Sequence, residues 1–179
     1  MKHLITALSL GVITWSAQAA TYQSVQPQTS RIAFTYHQMG VAMQGQFKRF
    51  KAQIHLDTQR PSAAQGSLDI DLASIDTGSA EANTEVVGKD WFNTAQHPQA
   101  RFVLQSLQDQ GAGRYLATGQ LRIKDHTRTL QASMRLSPQG LLDGQLVIRR
   151  ADFGVGVGMW SAFDIVANDI TVQFTLQLK

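Results

Sequence analysis

Residues 169–179 read D-I-T-V-Q-F-T-L-Q-L-K. Ile170, Val172, Phe174, Leu176 and Leu178 alternate there with Asp169, Thr171, Gln173, Thr175 and Gln177. Side chains of an extended strand point to opposite faces in turn, so this two-residue period makes one face apolar and the other wet. The period recurs upstream. Leu68, Ile70 and Leu72 alternate with Ser67, Asp69 and Asp71. Tyr115, Ala117, Gly119, Leu121 and Ile123 alternate with the residues from Arg114 to Lys124, and Leu130, Ala132, Met134 and Leu136 follow. Further strands are expected at 31–37, 45–56, 100–107 and 142–149.

Turn-forming pieces separate these runs, among them Gln59-Arg60-Pro61-Ser62, Asp109-Gln110-Gly111-Ala112-Gly113 and Ser137-Pro138-Gln139-Gly140. The connections are too short for crossover helices, so the strands form an antiparallel meander. One stretch breaks the period: residues 79–93 (SAEANTEVVGKDWFN) read as one or two short helical turns, with Ser79 or Thr77 as N-cap. The expected fold is mainly β, an antiparallel up-and-down barrel of about eight strands with a short helical insertion, or a sandwich of the same strands. Eight strands that close enclose either a packed core or one small ligand. An outer-membrane barrel would carry aromatic girdles at both rims. Here the strand ends carry mostly Gln, Asp, Arg and Lys.

The N-terminus decides the compartment. Met1-Lys2-His3 is a positively charged start, residues 4–15 (LITALSLGVITW) are apolar, and Ala17-Gln18-Ala19 is the small-x-small pattern of a signal-peptidase site. The apolar run is shorter than the roughly 20 residues of a membrane span. Residues 1–19 are therefore expected to be a removed signal peptide. Residues 20–179 are expected to form one periplasmic domain with no membrane-spanning segment. The 16 Lys and Arg against 13 Asp and Glu give a formal net charge of +3. That is too little to argue for nucleic acid as a partner. Cysteine is absent, so disulfides and thiolate chemistry are excluded.

Candidates for chemistry are thin. His37, His55, His97 and His126 are scattered, without metal-ligand or catalytic spacing. Asp69 and Asp71 share a strand face and read as solvated. Lys48-Arg49-x-Lys51 and Arg149-Arg150 read as solvated basic clusters. No activated nucleophile or acid–base pair stands out, so no enzymatic activity, cofactor or metal is expected. The aromatics are different in kind. Phe34, Tyr36, Phe47, Phe50, Trp91, Phe92, Phe102, Phe153, Trp160 and Phe163, with His37 and Met39 beside the first two, lie near strand ends or in the helical insertion. Each suits a barrel core or the wall of an apolar site. Gly154, Gly156 and Gly158, with Val155 and Val157 expected on one face and Met159, Trp160 and Phe163 following, suggest a movable lip.

An ordered set of motifs then carries a resemblance over nearly the whole exported chain. Ser30-Arg31-Ile32-Ala33-Phe34 leads to His37, Gly40, Gly45-Gln46-Phe47 and Phe50. Ser74-Ile75-Asp76-Thr77, Asp90-Trp91-Phe92-Asn93-Thr94 and His97-Pro98-Gln99-Ala100-Arg101-Phe102 come next. Gly119-Gln120-Leu121-Arg122-Ile123 with Thr127, and Arg150-Ala151-Asp152-Phe153-Gly154, complete it. The set resembles the YceI-like family of periplasmic, lipocalin-like, polyisoprenoid-binding proteins. The resemblance implies an apolar isoprenoid lipid, a quinone or polyprenyl chain, held in the barrel against the aromatics named above. The alternative is a ligand-free interaction module serving a membrane electron-transfer protein, and a homodimer is left open. Two departures stand out: Glu85 occupies the place of a His in similar proteins, and Asp125-His126 replaces their Gly-Val.

Overall fold

A computed structural model describes residues 19–179, so the expected signal peptide lies outside the described residues except for Ala19. Eleven strand segments form a single sheet: β1 (Thr21–Tyr22), β2 (Val25–Gln38), β3 (Val41–Phe47), β4 (Phe50–Asp57), β5 (Gln65–Asp71), β6 (Ile75–Asp76), β7 (Gln99–Asp109), β8 (Arg114–Ile123), β9 (His126–Leu136), β10 (Leu141–Arg149) and β11 (Asp169–Leu178). They are fewer strands than they look. β3 runs into β4 across Lys48–Arg49, and β5 runs into β6 across a 3-10 turn at Leu72–Ser74. The two composite strands pair along their length, β3 with β6 and β4 with β5. Together with β2 and β7 to β11 they make eight courses, as the alternation predicts. Every neighbouring pair is antiparallel, and β2 bonds to both β3 and β11, so the courses close in a ring. Closure leaves no long exposed edge. β1 is a two-residue addition beside β4.

The strands bend where the alternation slips. The inward set is Met43, Gly45 and Phe47 on β3 but Ala52, Ile54 and Leu56 on β4. It shifts likewise from Leu68, Ile70 and Leu72 to Ile75 across the facing 3-10 turn, where Asp71 caps the turn by accepting from the Ala73 N–H. Both composite strands therefore bend together. β7 carries a bulge between Leu104 and Ser106, after which Leu107 points inward. β2 carries another at Pro27–Ser30, where Ser30 Oγ accepts from the Gln177 N–H. Extra residues of this kind tighten the local twist and let a sheet roll up, and a bulge is a position where proline costs no ladder bond.

Two apolar clusters occupy the ends of the barrel. One joins Leu56, Leu107, Tyr115, Ala117, Ala132, Leu136, Leu142 and Leu178, with Tyr22 and Val25 packed on it. The other joins Leu72, Trp91, Ala100, Leu121, Ile123, Phe153, Val155 and Val166. The helical insertion is a single helix, α1 (Ala80–Val86), and its N-cap is Ser79, whose Oγ accepts from the Ala82 N–H. Thr77, the other expected cap, is not the cap: its N–H and its Oγ both donate to Asn83 Oδ1 and tie the helix to β6. No helix among the described residues is long and apolar enough to cross a membrane.

Candidate functional site

Between the two clusters the barrel is hollow. The cavity measures about 630 Å³, inside the roughly 300–1,000 Å³ usual for small-molecule sites. Its wall is overwhelmingly apolar, since the inward face of every course contributes Ile, Leu, Val, Met or Phe. Three glycines shape it. Phe34 on β2 folds over Gly45 of β3, Phe102 on β7 over Gly119 of β8, and Phe174 on β11 over Gly144 of β10. Each ring fills the place where the glycine's side chain would stand, so a Cβ at Gly144 would lie 2.5 Å from Phe174 Cζ. The rings thus lie against the wall and leave the centre open.

Of the expected site residues, Phe34, Tyr36, Phe47, Trp91, Phe92, Phe102, Phe153 and Trp160 line the cavity. Phe34 stands 6.0 Å from Tyr36 and 5.4 Å from Phe47 (ring centroids), and Phe47 stands 6.3 Å from Phe92. Burial raises the Tyr36 phenol above its ordinary value. Phe50 is half-buried on the inward side of β4 but outside the cavity wall. His37 is exposed, Met39 forms the solvent-facing β2–β3 turn at 76% exposure, and Phe163 is exposed on the loop before β11. These last three belong to the rim. The Met39 N–H donates to Ile165 O, and the Ala167 N–H to His37 O.

The cavity opens beside α1. Its charged wall residues are Glu81, Glu85 and Arg150, and the two glutamates are solvent-exposed, which places the mouth between the helix, β2 and the loop around Trp160. Trp160 Nε1 donates to Glu85 Oε1 at 2.9 Å, joining helix and loop across the opening. The departure at position 85 therefore has a structural role: a carboxylate acceptor matched to an indole donor.

Arg150 corrects the reading of Arg149-Arg150 as a solvated pair. Arg149 is exposed and bonds Asp152, but Arg150 is only 3% exposed and faces no carboxylate. Its guanidinium donates to the carbonyls of Ala167, Val155, Gly156, Trp160, Ala162 and Val166. Its Cζ also lies 5.4 Å from the Trp91 ring centroid and 5.2 Å from that of Phe163. Five N–H groups are all engaged, and desolvation lowers its pKa from the ordinary value. The signal was in the sequence, because Arg150 opens the R-x-D-F-G motif. The expected lip is corrected too. Gly154, Gly156 and Gly158 all have positive φ, so the segment is a looped turn and not a strand. Val155 is buried while Val157 is exposed. Arg150 and the Lys124 ammonium, which donates to Trp91 O and Gly154 O, pin the turn against the barrel.

Asp69 and Asp71 lie outside, paired with Arg101 at 2.8 Å and Arg49 at 2.9 Å. Among the described residues no group of three or more His, Asp or Glu is placed to hold a metal. A closed eight-course meander around an apolar lumen with a polar mouth is a lipocalin-like barrel. The YceI-like domain matches residues 23–178, and the chain belongs to that family. It is 30% identical to a UPF0312 protein of Photorhabdus laumondii, over 78% of this chain and 75% of that one. Among solved structures it resembles BcnA of Burkholderia cenocepacia at a TM-score of 0.83 and 35% identity, covering 86% of this chain and 98% of that one. A polyisoprenoid-binding domain from Saccharophagus degradans shares the fold at a TM-score of 0.65 and 18% identity, covering 88% and 97%.

Proposed function

We propose that the protein is a non-enzymatic periplasmic carrier that holds a long apolar lipid, an isoprenoid chain, in the barrel lumen. The observation that carries this reading is the hollow itself. A small protein normally packs its interior to crystal-like density, yet here three Phe–Gly pairs hold rings back from the centre. The polyisoprenoid-binding relative of the same fold supports the class of guest. An isoprenoid leaving water gains roughly 0.8 kcal/mol per buried CH₂-sized unit. The competing environment in the cell is a bilayer, equally apolar, so exchange between membrane and lumen is close to neutral. That suits carriage and requires no reacting group. The Phe34, Tyr36, Phe47, Phe92, Phe102 and Phe153 side chains would supply the wall.

The test is to purify the chain from the periplasmic fraction of its host and analyse it by native mass spectrometry and solvent extraction. One apolar lipid per barrel, on a chain beginning at Ala20, is the expected result. A lipid-free barrel that also takes up no prenyl lipid from vesicles would refute the reading and leave the interaction module.

A further inference from the structure

Six of the eight large hydrophobic side chains exposed among the described residues belong to two neighbouring segments. Met39 and Val41 come from the β2–β3 hairpin, and Val157, Met159, Phe163 and Ile165 from the loop before β11. The segments are joined: Gln38 bridges Val166, and the Met39 N–H donates to Ile165 O. Gln38, Trp160 and Val166 also line the cavity, so these apolar tips border its mouth.

Neither segment is built like an ordinary surface loop. The hairpin turn has positive φ at both central residues, 50° at Met39 and 81° at Gly40. Such turns strongly favour Asn-Gly or Asp-Gly. Methionine there is strained, and at 76% exposure it recovers little by packing. The second segment is turned inside out. Arg150 gathers the carbonyls of Val155, Gly156, Trp160, Ala162 and Val166 on the inside. Ser161 Oγ donates to Gly158 O, and Asp164 Oδ1 accepts from the Ile165 N–H. Met159, by contrast, is 77% exposed. Polar groups are satisfied within the loop, and apolar side chains face outward.

From this we infer that the apolar rim docks the mouth of the barrel onto a zwitterionic bilayer surface, with Met39, Met159 and Phe163 entering its apolar edge. The inference rests on the carrier reading and adds the place where loading occurs. An exposed apolar patch with a polar surround marks a protein or a membrane partner, and two facts choose the membrane. Backbone enters an apolar phase only when its polar groups are satisfied internally, the condition that Arg150 meets for this loop. The patch is also continuous with the lumen through Gln38, Trp160 and Val166, so an apolar guest passes from bilayer to barrel without crossing water. Charge selects the kind of surface. Across residues 38–42, residues 155–167 and α1 the charged side chains are Asp164, Glu81 and Glu85, all acidic and exposed. Anionic lipid therefore gains nothing over zwitterionic lipid here.

The test uses phosphatidylcholine vesicles. The chain has no cysteine, so Met159→Cys and Gln139→Cys each take one environment-sensitive fluorophore. The first sits at the rim and the second on the exposed β9–β10 turn, beside the opposite cluster. Vesicles should shift the emission at 159 to the blue and leave that at 139 in place, and added phosphatidylglycerol should not strengthen binding. Met39→Asn with Met159→Ser changes two exposed side chains outside the cavity wall. It should weaken vesicle binding about ten- to hundredfold and slow uptake of geranylgeraniol from the vesicles, with the final load per barrel unchanged. An unshifted label at 159, equal shifts at both ends, or undiminished binding by the double variant would overturn the docking surface. So would a vesicle-free dimer that the double variant dissolves, which would give the rim to a second copy of the chain. A barrel that loads geranylgeraniol but does not dock would overturn the docking surface alone. One that docks as expected yet never loads would overturn the carrier reading and leave the docking surface.

Discussion

Replacing Gly45 by Ala tests whether the hollow is engineered by the Phe–Gly pairs. Gly45 has no positive φ, so alanine suits its backbone. The added methyl would stand 2.6 Å from Phe34 Cε2, nearer still to Cζ, and 2.8 Å from Asp76 O. Ordinary contact begins at 3.4 Å. The wall lies behind the ring, so the ring can retreat only into the lumen, where it also meets Phe47 and Tyr36. Over-packing of this kind costs about 1–3 kcal/mol, partly offset by the 0.5–1 kcal/mol that alanine gains over glycine in a strand. A net loss of roughly 1–2 kcal/mol is expected, with lower lipid occupancy. Phe34→Leu shortens the obstructing side chain. The double variant should therefore be less destabilised than the sum of the singles, by at least about 0.5 kcal/mol, the threshold at which coupling is distinguishable from additivity. Urea denaturation of the four proteins supplies the cycle, and native mass spectrometry supplies the occupancies. Additive stabilities with unchanged occupancy would show that the rings do not hold the lumen open.

Arg150→Met should destabilise the barrel by about 3–5 kcal/mol, because it strips donors from six carbonyls. Hydrogen exchange should show the loss first at the amides of Val155, Val157 and Ala167; uniform loss across β8 and β9 would contradict a local clamp. Trp160→Phe removes the bond to Glu85 but keeps the ring, so lipid transfer to vesicles should accelerate while the melting temperature stays nearly constant. An unchanged transfer rate would place the rate-limiting opening elsewhere. Acid should act through Asp57 and Asp76. The Gln59 N–H and then Arg60 hold the Asp57 carboxyl below the ordinary 3.8, and Lys48 and then the Gly78 N–H do so for Asp76. A depressed carboxylate contributes stability above its unfolded value and loses it as pH falls through the folded one. The melting temperature should hold from about pH 7 to pH 5 and drop below about pH 4. Asp57→Asn with Asp76→Asn should lower the melting temperature at neutral pH and flatten that acid drop; an unaltered profile would assign it to other groups.

The eight courses were legible because each keeps a two-residue period over long stretches. Their breaks were not, although Phe47 and Phe50, three apart with two basic residues between, already show the period slipping. A bulge conserves composition and alters only register, so a reading that counts apolar residues passes over it. The site was half legible. Aromatics announce themselves by size, but whether a ring fills the lumen or lies on its wall depends on what faces it across the strand. Gly45, Gly119 and Gly144 gave that information only once the register was known. Arg150 was misread because burial of a cation depends on six carbonyls spread over residues 155–167, and backbone acceptors leave no trace in residue types. Phe163 and Met39 were placed by sequence proximity to the mouth, and proximity carried them to its rim.

The sequence holds three tryptophans, Trp15, Trp91 and Trp160. If export removes the first, all remaining indole emission comes from one spot, the two rings 5.5 Å apart at the mouth. Of the three tyrosines, Tyr22 and Tyr115 mark the opposite cluster, while Tyr36 packs on the cluster at the mouth; Tyr36→Phe leaves tyrosine only at the far end. The barrel therefore carries a separate optical label at each end. In that variant tryptophan emission reports the state of the mouth, and near-ultraviolet tyrosine dichroism the far plug. Melting curves followed at the two signals coincide only if both ends unfold in one cooperative step. A tryptophan transition that precedes the tyrosine one would measure directly, without any added dye, how much less stable the entrance is than the barrel it serves.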